Sequence, residues 1–265
     1  MAISILRPRA AVFLNGKLYA APHWLCRKLL ISRDPKVAYA RDIPELERAV
    51  EEHGASSKIA GLRDGSDSVA ALYFDRVGKD APTCVSNEFD PQALEDVSTV
   101  VSHCGKSGCE PDRIAEIVAF AKGHVAAYHG FSEELSLVRK IASDEQFRIG
   151  VIPLGKSNRR GLYVDGFGLR TGCDSKTEEF MGQFARFICE PRTMQTVLLS
   201  EDIGPNGVPR YPIAATQDIY SKPAMLRERY HRRICELIRD GYAYPSLEYH
   251  SLRSRLDRLP RPLAA

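Results

Sequence analysis

Hydrophobic and polar positions along this chain follow two periods in alternation. Short apolar runs bounded by Gly, Pro or charged residues predict strands at "KVAYA" (36–40), "SKIAGL" (57–62), "FRIGVIPLG" (147–155) and "GLYVDGFGLR" (161–170). Helical spacing fills the intervals. "DIPELERAVEEHG" predicts a helix with Asp42 as N-cap, Pro44 in the first turn and Gly54 at the C-cap. "GSDSVAALYFDRVGKD" carries an apolar stripe through Val69, Leu72, Tyr73 and the stem of Arg76. "PDRIAEIVAFAKGHVAAYHGF" contains a helix with apolar positions at Ile114, Ile117, Val118 and Ala121. "KTEEFMGQFARFICEPRTMQTVLL" is amphipathic with a break near Pro191, and "KPAMLRERYHRRICELIRDG" and "SLEYHSLRSRLDRL" predict two closing helices. Strands alternating with helices, without internal repeats, indicate an α/β fold.

Composition narrows the function classes. With 265 residues, 44% of them hydrophobic, the chain can bury a large core in two lobes or one large unit. The 37 basic and 34 acidic residues are well mixed and sum to +3, which argues against a dedicated nucleic-acid surface. No apolar run approaches the roughly 20 residues that span a bilayer. The start, "MAISILRPRAAVFLNGKLYA", is interrupted by Arg7, Pro8 and Arg9 and again by Asn15, Gly16 and Lys17, so it lacks the apolar stretch of a secretory signal. As written the chain is expected in the cytoplasm, and in a secreted or periplasmic location if translation starts upstream.

Seven cysteines form no even framework, so free thiols are expected. The cluster "HCGKSGC" places His103, Cys104 and Cys109 close together, but zinc takes ligands in two close pairs and no second pair stands at matching spacing. A surface loop is the reading there, with no metal. Gly105-Lys106-Ser107 looks like the end of a P-loop, yet the upstream glycine position holds Thr99 or Val100. Nucleotide binding is not supported.

The candidate chemistry lies in "LYAAPHWLCRKLLISR" (18–33), where Cys26 follows a Pro-His-Trp turn and opens an apolar strand. Alone, Cys26 reads equally as a small buried hydrophobe. The order of later motifs changes the weighing: "KGHVAAYHGFSEEL", then "FRIGVIPLG", then "LYVDGFGLRTGCDSKTEEFMGQFARFI". This series resembles the two-lobed type II periplasmic solute-binding proteins, in which one strand crosses from lobe one to lobe two and another crosses back. Within that architecture the chain resembles thiaminase I (thiamine pyridinylase), through "GKLYAAPHWLC", "GFSEEL" and "YVD".

The resemblance implies an α/β fold of the type II periplasmic-binding kind with an incomplete first lobe. Residues 1–30 and 152–215 would build lobe one, 31–151 lobe two, and 216–265 closing helices. It implies a transferase that needs no cofactor. Cys26 would be the nucleophile, Glu133 the general base, and Tyr163 and Asp165 pyrimidine-binding residues. Phe131, where the family has Tyr, and Trp24 would line the site. The substrate would be thiamine or a related aminopyrimidine, with an amine or thiol as co-substrate and no nucleic acid or membrane partner. Exposed sheet edges would invite pairing with another chain.

The chemistry accounts for these residue types. Attack on an electron-poor aminopyrimidine needs a thiolate, and a carboxylate within reach can take the thiol proton. A carboxylic acid at the ring nitrogen makes the ring a better electrophile, the role that falls to Asp165. Aromatic rings can sandwich a flat heterocycle, at about 1 kcal/mol per good stack. Simpler roles remain open. Glu133 can cap the helix opening "SEEL" with Ser132 as N-cap, Asp165 can satisfy the turn before Gly166, and Trp24 can be core or cleft wall. A non-catalytic binding protein for the same heterocycle, or a degenerate relative without ligand, are the competing functions. His23 is read as a partner of backbone groups, and His103, His124 and His129 as surface or helix-end residues.

Overall fold

The structure, a computed structural model, describes residues 13–14, 17–18, 20–54, 58–62, 65–78, 89–103, 112–142, 146–154, 161–204, 207–239, 241–244, 251 and 253–255. Cys104 and Cys109, and most of the expected helix over 246–259, lie outside these residues.

A short antiparallel pair, β1 (Phe13–Leu14) and β2 (Lys17–Leu18), leads into β3 (Ala21–Cys26) and β4 (Lys28–Ser32). Only Arg27 separates β3 from β4, yet the two strands belong to different sheets. The first sheet has the order β10-β8-β3-β9, with β8 (Gly161–Phe167), β9 (Ile213–Ala214) and β10 (Tyr242–Ala243). The second has the order β5-β6-β4-β7, with β5 (Ile59–Ala60), β6 (Ala127–Phe131) and β7 (Arg148–Gly150). The chain therefore crosses between sheets at Arg27. It returns to the first sheet in β8, which pairs antiparallel with β3. This is a mixed α/β fold of the type II periplasmic-binding kind.

Side-chain alternation explains why one extended run serves two sheets. Along β4, Leu29 and Ile31 enter the core cluster shared with Leu25, Leu162 and Ile213, whereas Leu30 enters a second cluster with Val37, Leu46 and Ile59. The strand is covered on both faces, which is why "KLLIS" is buried throughout. β3 is covered more fully on one face than on the other. His23 and Leu25 are buried, while Trp24 and Cys26 on the opposite face are only partly so.

Several helices begin where the sequence signals place them. In α2 (Ile43–Glu52) the Asp42 carboxylate accepts from the Glu45 N–H at 2.8 Å, and Gly54 follows the helix in the left-handed region at φ +104°. α7 (Ser175–Ile188) and α8 (Pro191–Leu198) are separated at Pro191. "KVAYA" differs from its expected strand. Residues Pro35–Ala38 form a short helix, α1, because Asp34 caps the Lys36 N–H and Pro35 presets the first turn. Val37 then reaches the core from a helix.

Two expected stripes also differ in detail. In α3 (Gly65–Val77) Leu72 and Tyr73 face one cluster and Ala70, Ala71 and Phe74 another, so the helix is sandwiched. Arg76 pairs with Asp96 on α4 (Pro91–Ser102). In α5 (Arg113–Ala121) Ile117 and Ala121 are buried, but Phe120 and Glu116 take the remaining inward positions and Ile114 is exposed. Phe120 packs in the core against Tyr128 and Phe147. After α6 (Leu135–Ala142), the region 223–238 splits into α9 (Pro223–Arg227) and α10 (Arg229–Ile238) at Glu228, which caps the His231 N–H at 2.7 Å. No helix among the described residues is long and apolar enough to cross a membrane.

Candidate functional site

The site is built by the β3–β8 pairing. Cys26 stands opposite Tyr163 and Trp24 opposite Asp165, with a register shift between Pro22 and Trp24. Directly opposed residues of an antiparallel pair share a face, so these four side chains line the less covered side of the first sheet, where Tyr163 packs beside Tyr244. Leu25 and Leu162 point the other way into the core. Burial of that face fixes the register, because a slip of one residue would turn Cys26 inward.

The Cys26 thiol donates to the Asp165 carboxylate, Sγ to Oδ2, at 3.3 Å. Burial pushes the thiol above its ordinary value, and the neighbouring Glu133 and Asp165 carboxylates push it further in the same direction. The resting group is thus a thiol, and attack requires a base or a cationic partner to release the proton. Glu133 lies close enough to act electrostatically on Cys26, and its own carboxyl is raised, chiefly by burial. A raised carboxyl is a better proton acceptor than an ordinary one.

Glu133 reaches this position through the second sheet. β6 ends at Phe131, opposite Lys28, and the Ser132 N–H donates to the Arg27 carbonyl at 2.9 Å, so the turn Ser132–Glu134 is tied to the crossover itself. The cap at this turn is not the one expected. Glu134, not Glu133, folds back: its Oε2 accepts from the Phe131 N–H at 2.7 Å and from the Tyr128 hydroxyl at 2.9 Å, and it pairs with Arg113. The cap role therefore falls on Glu134, three residues after Phe131, and leaves Glu133 free of it. That spacing is the sequence signal that could have found Glu134.

Phe131 joins the two sheets' contributions. Its ring meets the edge of Tyr163 at 5.6 Å between centroids, and the cations of Arg113 and Lys28 lie 5.1 and 5.2 Å from its centroid. Tyr163 in turn meets Tyr244 edge-on at 5.0 Å. Trp24 packs on His23 with centroids 4.2 Å apart. The His23 ring also touches Phe167 at 4.8 Å, and burial lowers its proton affinity.

His129 corrects the sequence reading. It is not at the surface but buried on β6 beside the crossover, opposite Leu30 of β4. Burial and the nearby Lys28 and Arg27 cations hold it neutral, well below the ordinary imidazole value. His124 is exposed, and His103 closes α4 with its Nε2 3.5 Å from Glu47. Among the described residues no group of three or more His, Cys, Asp or Glu could hold a metal ion.

Behind the site, Arg27, Asp75, Gly161 and Tyr244 form a buried hub that sequence reasoning missed. Arg27 donates to the Gly161 carbonyl at 2.6 Å and to Asp75 at 3.0 Å, and Asp75 accepts from the Gly161 N–H at 2.7 Å and the Tyr244 hydroxyl at 3.2 Å. A side chain at Gly161 would meet the Tyr244 ring at 1.8 Å, so only glycine fits.

Comparison with known proteins places this architecture. No family model matches the chain, and no curated protein is significantly similar to it in sequence. Solved structures of the periplasmic-binding kind do match. The GacH receptor of Streptomyces glaucescens aligns over 95% of this chain and 68% of its own, at 14% identity and a TM-score of 0.68. Thiaminase I from Bacillus thiaminolyticus aligns over 96% of this chain and 75% of its own, at 15% identity and a TM-score of 0.75. Thiaminase I of Clostridium botulinum, solved in complex with thiamin, aligns over 92% and 73%, at 20% identity and a TM-score of 0.71. At these identities the likeness is one of fold.

Proposed function

We propose that the protein is a thiaminase-like transferase in which Cys26 displaces the thiazole of thiamine, or the leaving group of a related aminopyrimidine. The observation that carries this reading is the Cys26–Asp165 contact at 3.3 Å on a sheet face shared with Tyr163 and Trp24. The likeness in fold to thiaminase I structures, one of them holding thiamin, supports it.

In this reading Glu133 takes the thiol proton and the Cys26 sulfur adds to the pyrimidine ring. The bond from the bridging methylene to the thiazolium nitrogen breaks, and its electron pair leaves with a neutral thiazole. An amine or thiol then adds at the methylene and loses its proton, and the sulfur–ring bond breaks to return the thiolate. The Asp165 carboxylate accepts from a protonated ring nitrogen and so stabilises the charge that attack places on the ring. Tyr163, Phe131 and Trp24 hold the flat ring. The cation of thiamine itself helps the first step: a positive charge beside Glu133 and Asp165 offsets the carboxylates that hold the thiol up.

A second reading, a binding protein without chemistry, draws on the same raised thiol, which resists ionisation while the site is empty. The GacH receptor, solved free and with acarbose, shares the fold. One experiment separates the two. The 265-residue chain is incubated with thiamine and an aromatic amine while free thiazole is measured, and thiamine binding is measured by calorimetry. Thiazole release that Cys26→Ser abolishes supports the transferase. Binding without release supports the second reading, and neither would refute both.

A further inference from the structure

We propose that a second copy of this chain docks on the open face of α7, the two helices running antiparallel about a twofold axis near Gln183. Asp174 caps α7 by accepting from the Thr177 N–H at 2.7 Å, and the helix continues to Ile188 without a single buried residue. One flank turns inward, where Phe184 meets the edge of Phe167 at 5.6 Å. The outward flank is also apolar: Phe180 is 65% exposed and Phe187 is 60% exposed. These rings stand seven residues apart, two turns on one stripe, with Gln183 exposed between them. Solvated phenylalanine at both ends of one stripe marks a surface built to be covered.

Charge selects the occupant. Glu179 and Arg186 precede Phe180 and Phe187 by one position each, so they flank the stripe on the same side. An antiparallel twofold pair sets Glu179 of each copy beside Arg186 of the other, closing two ion pairs with one geometry. A parallel twofold pair would put the two Glu179–Arg186 flanks on opposite sides of the seam, and neither ion pair would form. The helix ends agree, since antiparallel packing brings each acidic first turn near the carbonyl end's Arg186 and opposes the two dipoles.

Sedimentation of the full chain across a micromolar concentration series tests the pairing. The expected particle is twice the 29.5 kDa of one chain. Phe180→Asp with Phe187→Asp should give a monomer with an unchanged circular dichroism spectrum. Because that variant removes apolar surface wholesale, a charge cycle carries the decision. Glu179→Arg and Arg186→Glu should each weaken association about tenfold or more, and the two together should restore it. Gln183→Cys should cross-link to itself on oxidation, with the linkage mapped to position 183 rather than to a native cysteine. A chain that stays monomeric throughout the series overturns the proposal. So does a dimer indifferent to both charge changes, or a face found covered by a different protein while the chain itself is monomeric.

Discussion

The Arg27 guanidinium and the Asp75 carboxylate meet at 3.0 Å with side chains only 3% and 11% exposed. This pair ties helix α3 to both strands that cross between the sheets, since Arg27 lies between β3 and β4 and both ions also bond the backbone of Gly161 at the start of β8. A buried pair of this kind adds little over well-packed apolar groups, but breaking it strands a charge.

Asp75→Ala should therefore destabilise the protein by about 3–5 kcal/mol, because it leaves Arg27 buried without its counter-ion and the Gly161 N–H without an acceptor. Asp75→Asn keeps one acceptor for Gly161 and should cost less. Thermal and denaturant unfolding of the two variants measure the difference. Equal, small losses would show that the hub does not hold the crossover.

Cys26 should form a covalent adduct with a 4-aminopyrimidine that bears a leaving group. Intact-mass spectrometry should show one added pyrimidine unit, absent in Cys26→Ser. Simple alkylation of the empty site should be slow at neutral pH, because burial and two carboxylates keep the thiol protonated. Asp165→Asn removes one of those carboxylates and should speed alkylation. Modification that maps to Cys104 or Cys109 would sink the assignment.

Much of the fold is legible in the sequence because local signals and burial agree. Asp42, Pro44 and Gly54 bound a helix by themselves, and Pro191 opens the helix that follows the break after Ile188. The crossover after Cys26 is legible only through the family resemblance, since "KLLIS" has apolar residues at its centre and Lys28 and Ser32 at its ends. "KVAYA" misleads, since its apolar residues suit either period and the deciding Asp34-Pro35 start lies just upstream. The hub is not legible at all. Asp75 meets Arg27 across 48 residues and Gly161 across 86, and no local pattern announces such a pair. Glu133 and Glu134 stand adjacent, and only the return of Glu134 to the Phe131 N–H shows which of them is the cap.

If Glu133 takes the Cys26 proton, Glu133→Gln should lower thiamine turnover by roughly 10²–10⁴-fold with far less effect on binding. Glu134→Gln provides the contrast. It weakens the cap on Phe131 and the pair with Arg113, so it should lower thermal stability more than Glu133→Gln does. Near-normal turnover in Glu133→Gln would remove Glu133 from the proton path.

The last prediction concerns acid. His129 is buried and held neutral, with its proton affinity far below the ordinary value, and His231 and His23 are lowered in the same direction. For a group whose folded pKa is depressed, the unfolded chain binds the proton more readily in the window between the two values. Stability from keeping these rings neutral is thus fully present above the unfolded imidazole value, about 6.5, and is lost as pH falls below it. Melting temperature should be flat from about pH 8 to 7 and should fall steeply from about pH 6.5 to 5. His129→Gln removes the most strongly lowered ring of the three, so it should make that acid limb shallower even if it lowers stability at neutral pH. The comparison is one of slopes, which separates the titration from any packing cost. A variant whose acid limb is as steep as the wild type's would assign the proton uptake elsewhere.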